Sequence, residues 1–185
     1  MAQNATVFKA DLQIADIDRD YYRDHALTIA RHPSETDERM MVRVLAFARH
    51  AHDALAFGKG LSVGEEPDLW RKDPTGVIAE WIEVGQPDER RIRRACGRAE
   101  AVFVYAYGGR ATDRWWSQSR PALEEAYNLS VVALAPAETR SLAGLVRRTM
   151  RLSCTLQAGQ IWMTESEQTV AIEPVVLKAS VEDLR

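Results

Sequence analysis

The residues best placed to do chemistry lie between Gly76 and Arg94, in the run GVIAEWIEVGQPDERRIRR. Its first half reads as a strand. Val77, Ala79, Trp81 and Glu83 share one face, and Ile78, Glu80, Ile82 and Val84 share the other. Both faces are largely apolar, as in a central strand. Carboxylates in such a strand need an explanation, because burying an unpaired charge is costly. Glu83 stands near the strand's end, where ligands gather in open α/β sheets. Two explanations compete. Glu83 binds a divalent cation, or it forms a structural ion pair, for example with Arg91. Glu80, deeper in the strand, is open to the same readings.

Two further acids could join Glu83. Asp68 follows Pro67 in a polar loop, where Pro-Asp is also ordinary turn chemistry. Glu38 begins a helical stripe at 38, 41, 45, 48, 52 and 55 that is otherwise mostly apolar. It is equally a first-turn acid favoured by the helix dipole. Together, Glu38, Asp68 and Glu83 could converge on one magnesium ion, which takes few carboxylates and keeps several waters. Such an ion would activate water and stabilise charge on a phosphoryl group. After Gly85-Gln86-Pro87 an arginine-rich helix follows, with Pro87 at its first position and Asp88 and Glu89 in its first turn. Ile92, Ala95, Cys96 and Ala99 form its buried stripe, while Arg90, Arg91, Arg93, Arg94 and Arg98 crowd the rest. Arg94 and Arg98, one turn apart beside Arg91, can meet phosphates; a solvated charged face is the plainer account. His50 and His52 point in different directions and do not chelate together. Gly108-Gly109 lacks a phosphate-loop pattern. Trp115 and Trp116 read as one ring packed inward and one at the rim.

The elements that must position these residues follow from periodicity. Residues 6–14 alternate as a half-buried strand, and 21–31 read as a second strand paired with it. Ser34-Glu35-Thr36-Asp37 resembles a capping box that opens a helix running to about Phe57. Residues 61–75 read as loop. Strand 77–84, helix 87–99, strand 101–107, helix 111–126, strand 129–134 and helix 137–147 follow. Residues 149–157, 160–164 and 169–177 read as an antiparallel meander. The order predicts an α/β fold, a mixed central sheet flanked by helices, with additional antiparallel strands from the N- and C-terminal segments. No internal repeat or linker divides residues 1–185, so one domain is expected.

Composition narrows the class. The chain of 185 residues carries a net charge of −3, so nucleic-acid binding would need a local basic patch. Cys96 and Cys154 lack zinc or disulfide spacing. No basic stretch with an apolar run opens the chain. No segment approaches the roughly 20 apolar residues of a membrane span. The expected setting is the cytoplasm, with no membrane and no small-molecule cofactor.

With these residues in view, the chain strongly resembles the YaeQ family of bacterial proteins over nearly its whole length. The resemblance rests on Leu27-Thr28-Ile29-Ala30-Arg31-His32-Pro33-Ser34-Glu35-Thr36, on Glu38-Arg39-Met40-Met41, on Trp81-Ile82-Glu83 through Pro87-Asp88-Glu89-Arg90-Arg91-Ile92, and on Asn128-Leu129-Ser130-Val131. It implies a variation on the PD-(D/E)XK nuclease core, in which a helix acid, an aspartate after proline and an E-x-K triplet bind magnesium and position the attacking water. Carried over, Glu38 matches the helix acid, Asp68 the aspartate and Glu83 the glutamate, with Asp68 and Glu83 as metal ligands. The lysine position falls on Gly85. Gln86 could substitute if the strand bends, or Arg90 or Arg91 could reach in from the next helix. Without that cation the water is less well activated. Two expectations therefore stand: a magnesium-dependent nuclease-like phosphodiesterase, and a non-catalytic descendant that binds nucleic acid through Arg90, Arg91 and Arg94, or binds a transcription partner. The resemblance also implies a link to bacterial transcription elongation, which makes the transcription machinery an expected partner.

Overall fold

The computed structural model describes residues 4–59 and 65–181, and these described residues form two mixed sheets and four helices. Strands β1 (Thr6–Asp16) and β2 (Tyr21–Arg31) make the expected antiparallel hairpin. They do not extend the central sheet. Instead β8 (Thr149–Gln157) pairs parallel with β1, and β9 (Gln160–Glu165) and β10 (Gln168–Ile172) continue outward, giving the order β10-β9-β8-β1-β2. The second sheet has the order β11-β7-β6-β5-β4-β3. Its centre is the parallel trio β5 (Ile78–Val84), β6 (Ala99–Tyr107) and β7 (Leu129–Leu134). Antiparallel strands β3 (Leu55–Phe57), β4 (Leu69–Lys72) and β11 (Val175–Lys178) flank it.

Helix α1 (Asp37–Arg49) lies in the core shared by the two sheets, and its residues from Met40 to Ala48 are all buried. An apolar ring around a helix marks full burial, not a single amphipathic stripe. Helix α4 (Pro136–Gly144) packs beside it through Leu142. Helices α2 (Glu89–Cys96) and α3 (Arg110–Leu123) cover the other face of the six-stranded sheet, over Trp81, Val102, Val104 and Val131. No helix among the described residues is long and apolar enough to cross a membrane.

Several boundaries differ from expectation, each for a local reason. The cap of α1 is Thr36, whose hydroxyl accepts from Arg39 N at 3.1 Å, whereas Ser34 bonds to His32. The helix stops at Arg49, not near Phe57. Arg19 donates to the carbonyls of Ala48 and Ala51 at its end, and Leu55 owes its burial to strand pairing. Within the expected loop, residues 61–64 lie outside the described residues and 69–72 form β4. Helix α2 is short because Asp88 is its cap and Gly97 ends it, which leaves Pro87 just ahead of the helix. The expected third strand of the meander breaks at Glu173-Pro174, so β10 stays in the first sheet while β11 joins the second. Trp115 and Trp116 are both half-buried, and Trp115 Nε1 donates to Pro87 O.

A polar ladder fixes the C-terminal end of α1 to the second sheet. His50 Nε2 stands 2.7 Å from Tyr105 Oη, and its Nδ1 lies 3.5 Å from Glu80 Oε2. Arg71 on β4 donates to Glu80 Oε1 at 3.0 Å. Burial works against the Glu80 carboxylate, but His50 and Arg71 outweigh it and hold the group at about 2, against an ordinary value of 4.5. Burial pushes His50 down, with Glu80 opposing. Glu80, whose position in the strand suggested a ligand or an ion pair, is here an ion-pair partner.

Two measurements check this description. Leu45→Ala, in the fully buried middle of α1, lowers the unfolding free energy by about 2–5 kcal/mol; the denaturant midpoint falls while the slope holds. Glu80 titrates lower in the folded chain, so the stability it contributes is complete above 4.5 and is lost as pH falls toward 2. Denaturation at successive pH values therefore shows a shallower acid decline across that window in Glu80→Gln than in the parent chain.

Candidate functional site

The end of β5 carries the candidate site. The register Leu69↔Ile82 between β4 and β5 sets Asp68 level with Glu83. Asp68 Oδ2 accepts from Val84 N at 2.7 Å, so it ties the ends of the two strands together. Gly58 supports the same corner. Its N–H donates to Asp68 O at 2.9 Å, and a Cβ there would stand 2.0 Å from the Pro67 carbonyl oxygen. On the other side Gly85, at φ +101°, turns the chain sharply out of β5 into the approach to α2. Asp68 and Glu83 are both buried, at 5% and 3% exposure.

Each carboxylate is held by a guanidinium. Arg39, on α1, donates through Nη2 to Asp68 Oδ1 and Oδ2 at 2.7 and 2.9 Å. The same nitrogen lies 3.3 Å from Val84 O, and Nη1 reaches Glu35 Oε1 at 2.9 Å. Glu35 in turn takes Arg43 Nε at 2.8 Å and Nη2 at 2.7 Å, and Arg43 also donates to Ala30 O on β2. Arg91, on α2, donates from Nε to Glu83 Oε1 at 2.7 Å and from Nη2 to Glu66 O at 2.7 Å. The Trp81 indole N–H donates to the same Glu83 oxygen at 2.8 Å. Burial lifts Glu83 above its ordinary carboxyl range, and the neighbouring Asp68 charge adds to this. Arg91 and Trp81 pull the other way without cancelling it. On Arg39, burial favours the neutral form, and the charges of Asp68 and Glu35 overcome it, leaving the guanidinium raised.

Of the residues singled out from the sequence, the fold brings Asp68, Glu83 and Arg91 to one place. Glu38 is engaged elsewhere, accepting from the Thr139 hydroxyl of α4 at 2.6 Å. Its neighbour Arg39 is the α1 residue that enters the site. Gln86 turns toward the start of α3, donating to Tyr107 O at 2.5 Å and Thr112 Oγ1 at 3.0 Å. It thereby joins the turn after β5 to the turn after β6. Arg90 and Arg94 are exposed on α2. The ion pair of Glu83 with Arg91, one of the two explanations the strand pattern left open, is present.

Sequence reasoning passed over Glu35, Arg39 and Arg43. The signal was there in their spacing. Positions 35, 39 and 43 are four apart and lie on one face of a helix or its approach. On a helix so apolar, two arginines demand acidic partners.

The arrangement suits ion pairing better than metal binding. Among the described residues no group of three or more His, Cys, Asp or Glu side chains is placed to hold a metal. A magnesium ion there would meet Asp68, both of whose oxygens already accept from guanidinium and backbone donors, and Glu83, whose Oε1 already accepts from both Arg91 and the Trp81 indole. The donor set therefore does not fit the ion as the side chains stand.

Comparison with known proteins places the chain. The family model described as YaeQ protein matches residues 1–174. The uncharacterized protein YaeQ of Salmonella typhi is 43% identical over 173 residues, covering 94% of this chain and 96% of that one. Its counterpart in Escherichia coli (strain K12) is 41% identical over 172 residues, with 93% and 95% covered. The crystal structure of the YaeQ protein from Xanthomonas axonopodis pv. citri superposes with a TM-score of 0.92 at 49% identity, covering 95% of this chain and 99% of that one. That from Pseudomonas syringae gives 0.91 at 35% identity, with 95% and 97% covered. The chain belongs to the YaeQ family.

Proposed function

We propose that this chain binds nucleic acid through the α2–α3 face, on a PD-(D/E)XK-type core that has kept the shape of a nuclease site and not its chemistry. The observation that carries this reading is a local surplus of arginine. Together α2 and α3 contain seven arginines against only Glu89 and Asp113. The whole chain is at −3, so this positive charge is a property of one layer. Two of the seven are tied down at the surface: Arg93 to Glu89, and Arg120 to Glu124 just beyond α3. Arg90, Arg94, Arg110 and Arg114 are exposed. Arginine suits phosphate because its planar fork donates two parallel hydrogen bonds. The order of parts supports the core assignment: a buried helix, an aspartate after proline, then a glutamate on a following strand. The missing lysine and the guanidinium-held acids argue for binding without cleavage.

Fluorescence anisotropy with labelled single- and double-stranded DNA and RNA tests the proposal. Affinity falls steeply with salt, because phosphate contacts release counterions. On duplex DNA, Arg90→Ala with Arg94→Ala lowers the log–log salt slope by about 2, roughly 0.9 for each phosphate no longer neutralised. Binding that ignores salt, or survives the double substitution unchanged, sinks the reading. Magnesium-dependent cleavage abolished in Glu83→Ala would replace it with an enzymatic one.

A further inference from the structure

We infer that Arg39 and Arg91 do in this chain the charge-neutralising work of a divalent cation, and that Arg91 is the residue that keeps the Asp68–Glu83 pair closed to metal. Charge balance in a buried place requires it. Among the described residues the bonded set contains three carboxylates, Glu35, Asp68 and Glu83, and three guanidiniums, Arg39, Arg43 and Arg91. As built it is neutral. A divalent ion added to it would leave two uncompensated positive charges among side chains that are mostly sequestered from water, where an unpaired charge is strongly disfavoured. Metal can enter only if a guanidinium leaves.

The three arginines are not equally able to leave. Arg43 is 3% exposed and Arg39 17%, and both rise from α1 inside the core. Arg91 is 27% exposed, at the rim, on a helix that covers the outer face of the sheet. Removing it would give the set a net charge of −1 and free Glu83 Oε1 of its strongest donor. The vacated space lies beside Asp68, which the β4–β5 register sets level with Glu83. Two carboxylates next to a water-accessible rim suit a small hard ion that keeps most of its own waters. Arg91 is thus a positioning residue. It joins β5 to the Glu66 carbonyl and seats α2, while Arg90 and Arg94 on the same helix face outward. This inference goes beyond the proposed function and does not need nucleic acid to bind at all.

Manganese as the probe separates the outcomes, read on the intact chain by loss of the free-ion electron paramagnetic resonance signal. The parent chain leaves the signal of millimolar manganese unchanged. Arg91→Ala binds one equivalent at least tenfold tighter than the parent, and adding Glu83→Gln or Asp68→Asn abolishes that binding. Arg91→Lys, which restores a cation, stays closed like the parent. Stoichiometric manganese binding by the parent chain, lost in Glu83→Gln, overturns the inference. So does a folded Arg91→Ala, or the milder Arg91→Gln, that takes up no ion.

Discussion

The structure depends on how a helix buried on every side is tied at both ends. A helix in the middle of a core leaves unsatisfied donors at its start and acceptors at its finish. Here each end of α1 is fastened to both sheets. Toward its start, Arg43, paired with Glu35, donates to Ala30 O of β2, while Arg39 reaches Asp68 and Val84 beside β4 and β5. At its finish, Arg19 from the β1–β2 turn takes the carbonyls of Ala48 and Ala51, while His50 takes Tyr105 and approaches Glu80. The two sheets are not paired with each other. The helix and its ionic ends set their relative position. Such pairs are weak evidence for stability by themselves, yet removing one partner of a buried pair costs about 3–5 kcal/mol. They serve here as registration.

That constraint also shapes the candidate site. Asp68 and Glu83 stand level because β4 and β5 are paired, and two buried carboxylates so placed must be neutralised. The nearest cation comes from α1, because Arg39 is already needed to hold the helix against Val84 O and Glu35. The second comes from α2, which the glycine turn at 85 brings back over the strand end. The chemistry of the site is thus a consequence of the packing: the same guanidiniums that place the helices occupy the carboxylates.

Much of this was legible in the sequence, and the remainder was hidden for physical reasons. The strands 6–14, 21–31 and 129–134 and a mixed central sheet flanked by helices followed from hydrophobic patterning and element order. The level pairing of Asp68 with Glu83 did not, because β4 is only four residues long and sits between turn signals that mask its alternation. The separate five-stranded sheet was equally invisible. Its parallel β1–β8 ladder joins residues some 140 apart, and nothing local encodes that pairing. At the site, Glu83 and Arg91 were readable because they flank one short turn. Arg39 was not, since its partners come from two other elements and its neighbour Glu38 drew attention as the acid. Both residues share the first turns of one helix, yet they face different neighbours, Glu38 toward Thr139 and Arg39 toward Asp68.

The arginines of α2 show how one short helix can serve two ends. Its buried residues are only Ile92 and Ala95. So small an apolar face gives little hold on the sheet. At about 25 cal/mol per Å² of apolar area buried, two such side chains contribute only a few kcal/mol, less than the backbone entropy of ordering eight residues. The helix therefore needs other anchors. Asp88 caps its start, Arg91 pins it to Glu83 and Glu66, and Trp115 of α3 fastens the Pro87 carbonyl ahead of it. Arg93 adds a tie to the Ala122 carbonyl of α3, and Cys96 O accepts from Asn128, whereas Arg90 and Arg94 stand outside this anchoring. Arg90 and Arg94 can then present charge outward without weakening the fold. Had all the arginines faced solvent, the helix would have lost its ties to Glu83 and Glu66; had all turned inward, their charge would have exceeded the acids available to receive it.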